Sequence, residues 1–300
     1  VGHIIKRLFS YKALLARLKE VRLSVHLLNK NKLTRVAFIT IIILVAIAVI
    51  VPVAFPSLAH MASATDPQYK LLPPSWDHLF GTDDMGRDIF LRVLIGTQIS
   101  LQTSLIAVGI ALLIGVPLGA MAGYFGGFVD ELIMRVTDIF LSFPSLLLAI
   151  TIAAFLGPSL HNAIIAIAVS WWPWYTRLIR GQAVSIKERQ FVKAAKSIGA
   201  PDYKIICQHI VPNCLGPVIV QASMDIGGVI LTIASLSYLG LGAQPPQPEW
   251  GLMVSTSRNY FLDSWWYSIF PGMAIFITVL AFNLLGDGLR EILDPKTRNK

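Results

Sequence analysis

Phe191-Val-Lys-Ala-Ala-Lys-Ser-Ile-Gly-Ala-Pro-Asp-Tyr-Lys-Ile-Ile-Cys-Gln-His-Ile-Val-Pro-Asn213 is the longest polar segment between two apolar runs in the second half of the chain. Ala194 and Ala195 favour helix, Gly199 can end it with a positive φ, and Pro201 suits the first turn of a new one. Residues 191–213 are therefore expected to form two short helices around a turn. Apolar runs flank the segment at 163–179 and 214–238. So placed, it is a compact element at a membrane surface that offers a handle to another molecule.

The rest of the chain supports a membrane setting. Hydrophobic residues make up 55% and charged residues 14%, with a mean hydropathy of +0.65, too apolar for an ordinary soluble domain. A spanning helix needs about 20 apolar residues, and six such runs are present, at 36–55, 101–122, 133–156, 163–179, 214–238 and 266–285. The run at 36–55 is longer than a signal-peptide core of about 7–15 residues and begins far from the N-terminus, so a retained first span is expected. The pI near 9.6 does not call for nucleic acid. Residues 1–35 are basic with Glu20 as the single acid, and Arg177, Arg180, Lys187, Arg189, Lys193, Lys196 and Lys204 crowd one later loop. Six spans put all of these on the inner face.

The expected fold is thus an all-α polytopic membrane protein with six transmembrane helices and both termini cytoplasmic. A cytoplasmic segment (1–35) leads to the first span (36–55), an extracytoplasmic loop with an interfacial helix (56–100), a five-helix core (101–290) and a cytoplasmic tail (291–300). Cys207 and Cys214 flank the inner end of a span, where a disulfide is not expected, and read as ordinary thiols.

Ala194, Ala195 and Gly199, then after nine intervening residues His209, Val211 and Pro212, resemble the "EAA" loop of ATP-binding-cassette (ABC) importer permeases, and His209, Pro212 and Asn213 are similar to its peptide-permease form. Lys193 stands where that loop usually has Glu. Three more stretches are similar to the same branch. They are Gly81-Thr-Asp-Asp-Met-Gly-Arg-Asp88, Leu239-Gly-Leu-Gly-Ala-Gln-Pro-Pro-Gln-Pro-Glu-Trp-Gly251 and Gly286-Asp-Gly-Leu-Arg-Glu-Ile-Leu-Asp-Pro-Lys296. The resemblance implies a type I ABC importer permease fold in the cell inner membrane, among lipid and without nucleic acid. It implies a sister permease subunit, one or two ATPase subunits that grip the 191–213 loop, and an extracytoplasmic substrate-binding protein. The chain would bind no cofactor, with ATP and Mg held by the ATPase, and would not itself be an enzyme. Dipeptides or oligopeptides are the implied cargo, with nickel or a metal chelate as the alternative.

The residues themselves add narrower expectations. Thr82 or Asp83 can cap a helix that lays Ile89, Phe90, Val93 and Leu94 along the outer interface. Asp83, Asp84 and Asp88 lack the spacing of an EF-hand loop, so pairing with Arg87 and Arg92 is expected rather than a metal site. Gly115, Gly119 and Gly123 put small residues on one helical face and predict a close helix–helix approach. Gly126, Gly127, Asp130 and Arg135 read as a short inside turn, and Pro144 as a kink in the third span. No Gly-x-x-x-x-Gly-Lys-Ser/Thr occurs, so nucleotide hydrolysis belongs to another polypeptide. Residues 239–251 are too rich in Pro and Gly to be regular.

Two features suit a translocation pathway. Trp171, Trp172, Trp174 and Tyr175 form an aromatic belt, in which Trp174 is a candidate for stacking on substrate as well as an anchor. Asp225 lies about 18 Å into its run at 1.5 Å per residue, near the middle of a hydrocarbon core about 30 Å thick. An acid there faces protein or water. It either lines the pathway, meeting an amino group or a cation, or bonds a neighbouring helix. Gly227 and Gly228 beside it permit close approach or unwinding. A secondary transporter would show charge relays and paired broken helices, and an intramembrane enzyme would show His-Glu-x-x-His or Gly-x-Ser-x-Gly. The sequence has neither set.

Overall fold

The computed structural model describes residues 32–293; the expected cytoplasmic segment 1–35 and tail 291–300 lie mostly outside them. The helices in order are α1 (Lys32–Ala54), α2 (Pro56–Ser63), α3 (Ile89–Phe125), α4 (Gly127–Leu141), α5 (Ser145–Leu156), α6 (Leu160–Lys187), α7 (Gln190–Ser197), α8 (Asp202–Ile205), α9 (Val211–Tyr238), α10 (Trp250–Ser257) and α11 (Trp265–Leu293). No strand occurs among the described residues, only an isolated bridge between Thr82 and Asp88.

Four helical stretches are long and apolar enough to cross a membrane, Lys32–Ala54, Ile89–Phe125, Asp202–Tyr238 and Trp265–Ile292, and α4 with α5 makes a fifth if that bent pair is one span. The expected kink at Pro144 is a break of 84°. Proline has no N–H to donate and pushes the residue before it out of helical conformation, so α4 stops and α5 starts afresh. The inside turn shrinks to Gly126 and Gly127, with φ of +70° and +52°, while Asp130 and Arg135 belong to α4. Helix α6, 28 residues long, would reach about 42 Å at 1.5 Å per residue. It falls outside the apolar set because the aromatic belt, Arg177 and Arg180 dilute it.

The outer segments also differ from expectation. The residues expected along the interface, Ile89, Phe90, Val93 and Leu94, are the first turns of α3 itself, with Ile89 fully buried, and the separate short helix before it is α2. The cap is Asp88, whose side chain accepts from Leu91 N at 2.9 Å, because Thr82 and Asp83 are occupied elsewhere. The Pro- and Gly-rich segment gives way to a regular helix at Trp250, where buried Glu249 accepts from Gly251 N at 3.0 Å and Leu252 N at 2.8 Å. Two satisfied N-terminal amides are enough to start α10 directly after Pro248.

The most extensive packing joins α3 to α6. A Cβ on Gly115 would lie 2.7 Å from Tyr175 Cβ, one on Gly119 2.8 Å from Ile179 Cβ, and one on Gly123 2.6 Å from Ala183 Cβ. Only hydrogen fits at these positions, and the close approach expected of the glycines is made with α6. Thr176 Oγ1 reaches the Gly115 carbonyl across the seam at 3.3 Å. Ala107, Ala111, Ala149, Ala163, Ile167, Trp172 and Val229 extend the core to α5 and α9. On the other side, α9 meets α11 at Gly227, and Thr34 of α1 covers Gly288.

Replacing Gly119 by Leu overpacks this seam and is expected to cost about 1–3 kcal/mol. A lower thermal midpoint of the purified protein in detergent checks it. Gly109→Leu, on the same helix with no heavy atom within 4 Å of its Cβ position, should stay near wild type, and equal losses for the two would contradict the seam.

Candidate functional site

The polar segment folds as two short helices at the C-terminal end of α6. Gly199, with φ of +81°, closes α7, and Ala200 N donates back to the Ala195 carbonyl at 3.1 Å. Pro201 is the residue that caps α8 and not one of its first turn. A π-helical turn, Ile206–Ile210, then runs into α9 without a break. Pro212, which has no N–H, follows that turn and leaves the i−4 ladder short of one donor there.

One side of this element is core. Val192, Ala195, Ile205 and Ile210 pack with Ile179, Ala183 and Ile186 of α6 and Cys214 of α9. Tyr124 at the end of α3 adds a hydrogen bond to Asp202 at 2.6 Å. The expected site residues therefore divide. Ala195, 8% exposed, belongs to the core, while Lys193, Ala194, Gly199 and Pro212 face outward. His209 is half-buried, with its ring 6.1 Å from that of Phe191. Lys193 pairs with Glu188 at 2.9 Å, which holds that carboxyl below its ordinary range. The lysine in the Glu position thus has an acid within its own chain. The sequence reading missed Ile198 and Tyr203, 84% and 71% exposed, which with Phe191 and Ala194 make an apolar outer face. The signal was present in Ala194 and Ile198, four residues apart in an otherwise polar stretch.

The outer signature is a clasp. Asp83, fully buried, accepts from Met85 N and Arg87 N at 2.9 Å each and from Arg87 Nε at 2.6 Å, with Arg92 Nε at 3.6 Å. Thr82 Oγ1 accepts from Leu72 N at 2.8 Å and donates to the Tyr69 carbonyl. Asp88 holds His78 Nδ1 at 2.9 Å, and Asp84 accepts from Tyr267 of α11 at 2.9 Å. Arg92 donates to the carbonyls of Ala62, Pro246 and Gln247 at 3.1–3.4 Å. Gly81 and Gly86 have φ of +73° and +75°; Gly81 leaves room for Trp266 and Gly86 lies against the Asp66 backbone. All six expected residues, Gly81, Thr82, Asp83, Gly86, Arg87 and Asp88, meet in this knot. Its acids pair with arginine, histidine and backbone N–H. Among the described residues no group of three or more His, Cys, Asp or Glu is placed to hold a metal ion.

Asp225 sits midway along α9. Its carboxylate accepts from Gln221 Nε2 at 2.9 Å. Beside it is Tyr175 of α6, fully buried, with a hydroxyl that interacts with the same carboxyl. A cavity of about 580 Å³ lies towards the N-terminal end of α9, lined by Leu178, Asn213, Pro217, Gln221, Met224 and Arg290. A second, of about 350 Å³, lies towards the C-terminal end of α9 between Leu231, Ser235, Tyr238, Gly251, Val254 and Ile275. Trp174 is 54% exposed and is not among the lining residues of these two cavities. Its neighbour in the aromatic run, Tyr175, is the one that interacts with Asp225.

Among groups outside the spans, burial pushes the Glu249 carboxyl above its ordinary 4.5, against the pull of the two amides it caps. Folding then favours its protonated form, so its contribution to stability falls as pH rises from the ordinary value to the raised one and is level beyond. Wild type should lose thermal stability relative to Glu249→Gln over that interval, and a pH-independent difference between the two would contradict this reading.

Residues 115–299 match the family described as binding-protein-dependent transport system inner membrane component. The probable D,D-dipeptide transport system permease protein DdpC of Escherichia coli (strain K12) is 50% identical over 263 residues, 87% of this chain and 88% of its own length. The dipeptide transport system permease protein DppC of Alkalihalophilus pseudofirmus is 48% identical over 272 residues, 91% of this chain and 88% of its own. The glutathione transport system permease protein GsiD of Pectobacterium atrosepticum is 46% identical over 226 residues, 75% of each chain. In fold, the structure is similar to a chain of the MetNI methionine ABC transporter solved in inward facing conformations, with a TM-score of 0.55 at 16% identity over 68% of this chain and 97% of that one.

Proposed function

We propose that this chain, which belongs to the family of binding-protein-dependent transport system inner membrane components, forms one half of the pathway of an ATP-driven importer for dipeptides and oligopeptides. The observation that carries the reading is the mounting of residues 190–213. Their outer face, Phe191, Ala194, Ile198 and Tyr203, is free, while their inner face shares a core with α6 and α9. A force applied to that face is delivered to both helices.

An ATPase partner, one or two subunits holding ATP and Mg, would grip the element from the cytoplasm. Closure of the ATPases would displace α6 and α9 together and exchange access between the two cavities along α9. Such a cycle needs ligands that bind the two states unequally, here ATP on one side and a loaded extracytoplasmic binding protein on the other. A sister permease subunit would supply the opposite wall. We place six spans in the membrane, with α4 and α5 as one and α6 as another and both termini inside, because the basic residues from Arg177 to Lys204 then share one face. The peptide cargo is supported by the relatives, whose names specify D,D-dipeptide, dipeptide and glutathione.

Ile198→Asp puts a charge on the outer face without entering the core. The variant should remain in the membrane but lose co-purification of the ATPase and the ATP hydrolysis stimulated by loaded binding protein, by about tenfold if roughly 1.4 kcal/mol of docking is removed. Retention of both would contradict the docking reading.

A further inference from the structure

We infer that Asp225, Gln221 and Tyr175 form a station in mid-membrane that binds the free ammonium group of the cargo as it passes along α9. The inference rests on the peptide-importer reading and adds to it what the pathway recognises.

The two cavities share one face of α9. At 100° per residue, Asn213, Pro217, Gln221 and Met224 of the first cavity fall in line with Leu231, Ser235 and Tyr238 of the second. Gly228 lies on the same line between them, and no heavy atom stands within 4 Å of its Cβ position, whereas Gly227 packs against Val279 and Asn283 of α11. The open strip therefore continues along α9 between the two cavities, and Asp225 borders it one turn from Gln221 and from Gly228.

The chemistry beside this strip is that of an amine receptor. An acid at this depth needs a cation or several donors, yet among the described residues Asp225 forms no ion pair with Lys, Arg or His. Gln221 supplies one donor. The Tyr175 hydroxyl is buried beside the carboxyl and interacts with it, and its oxygen keeps lone pairs that can accept. A primary ammonium carries three N–H donors and a positive charge. The Asp225 carboxylate, the Tyr175 oxygen and the Gln221 amide oxygen supply three acceptors, and the carboxylate also balances the charge in a low-dielectric setting. A carboxylate or an acylated nitrogen gains nothing comparable. The ligand class is thus a free primary amine on a small peptide.

The test uses the complete importer with its binding protein, reconstituted in liposomes, and labelled dialanine beside lactyl-alanine, in which a hydroxyl replaces the amine. Asp225→Asn should lower dialanine uptake by tenfold or more while ATP hydrolysis stimulated by loaded binding protein continues. Asp225→Glu should restore much of the uptake, and the preference for dialanine over lactyl-alanine should shrink in Asp225→Asn. Should Asp225→Asn fail to assemble, Tyr175→Phe and Gln221→Ala carry the test, each with a selective loss of dialanine of about threefold. Wild-type uptake of dialanine by Asp225→Asn, or equal losses of both compounds in the variants, would overturn the station. Failure of the wild-type complex to import dialanine, with its ATP hydrolysis still stimulated, would contradict the peptide reading and remove the inference with it.

Discussion

The glycine seam between α3 and α6 is the constraint on which the other features hang. With Gly115, Gly119 and Gly123 set against the backbone of residues 172–184, the two helices approach too closely for any side chain between them. In lipid there is little hydrophobic force to join apolar helices, so van der Waals contact over a close approach is what holds them. The seam fixes the height of α6 in the membrane. It thereby fixes Tyr175 beside Asp225 at one level and the start of the 190–213 element at another. Arg180, bonded to Asp130 of α4 at 2.6 Å, and Arg177, paired with Asp138, brace the same helix from its other side.

From that fixed helix the molecule is finished differently at its two ends. Outside, buried charge is used for closure. Asp83, Arg87 and Arg92 are removed from water together, which is tolerable only because the acid is saturated by backbone and guanidinium donors. The result ties the loops before α3 and after α9 to the start of α11. Inside, closure is apolar, through Val192, Ala195, Ile205 and Ile210, and the exposed side is left free. One end is thus closed by buried charge and the other leaves an apolar face exposed.

Much of this was legible in the sequence. The glycine spacing announced a close packing, the polar interval with Gly199 announced a helix-turn-helix, and the Asp–Arg alternation announced ion pairs. Each is a local pattern with a local physical cause. What could not be read was set by contacts distant in sequence. Asp88 rather than Thr82 caps α3 because Thr82 is held by Tyr69 and Leu72. Ala195 is core rather than surface because α6 returns beneath it. The bend at Pro144 amounts to 84°, a size that no proline reveals by itself. Helix α6 fails a test of apolarity because much of its length faces other helices, where aromatic and polar side chains are at home. Which of the adjacent Trp174 and Tyr175 meets Asp225 is decided by the seam, a contact distant in sequence.

If the cavities on either side of Asp225 are alternately opened by the element at 190–213, their exposure must exchange with the nucleotide state. Single cysteines at Gln221 and Ser235, in a complex whose Cys207 and Cys214 are replaced, can be probed with membrane-impermeant thiol reagents from each side. With a non-hydrolysable ATP analogue and loaded binding protein, Ser235→Cys should become reactive from outside and Gln221→Cys protected from inside; without nucleotide the pattern should reverse. Reactivity at both positions that is indifferent to nucleotide would contradict the coupling of this chain's loop to its pathway.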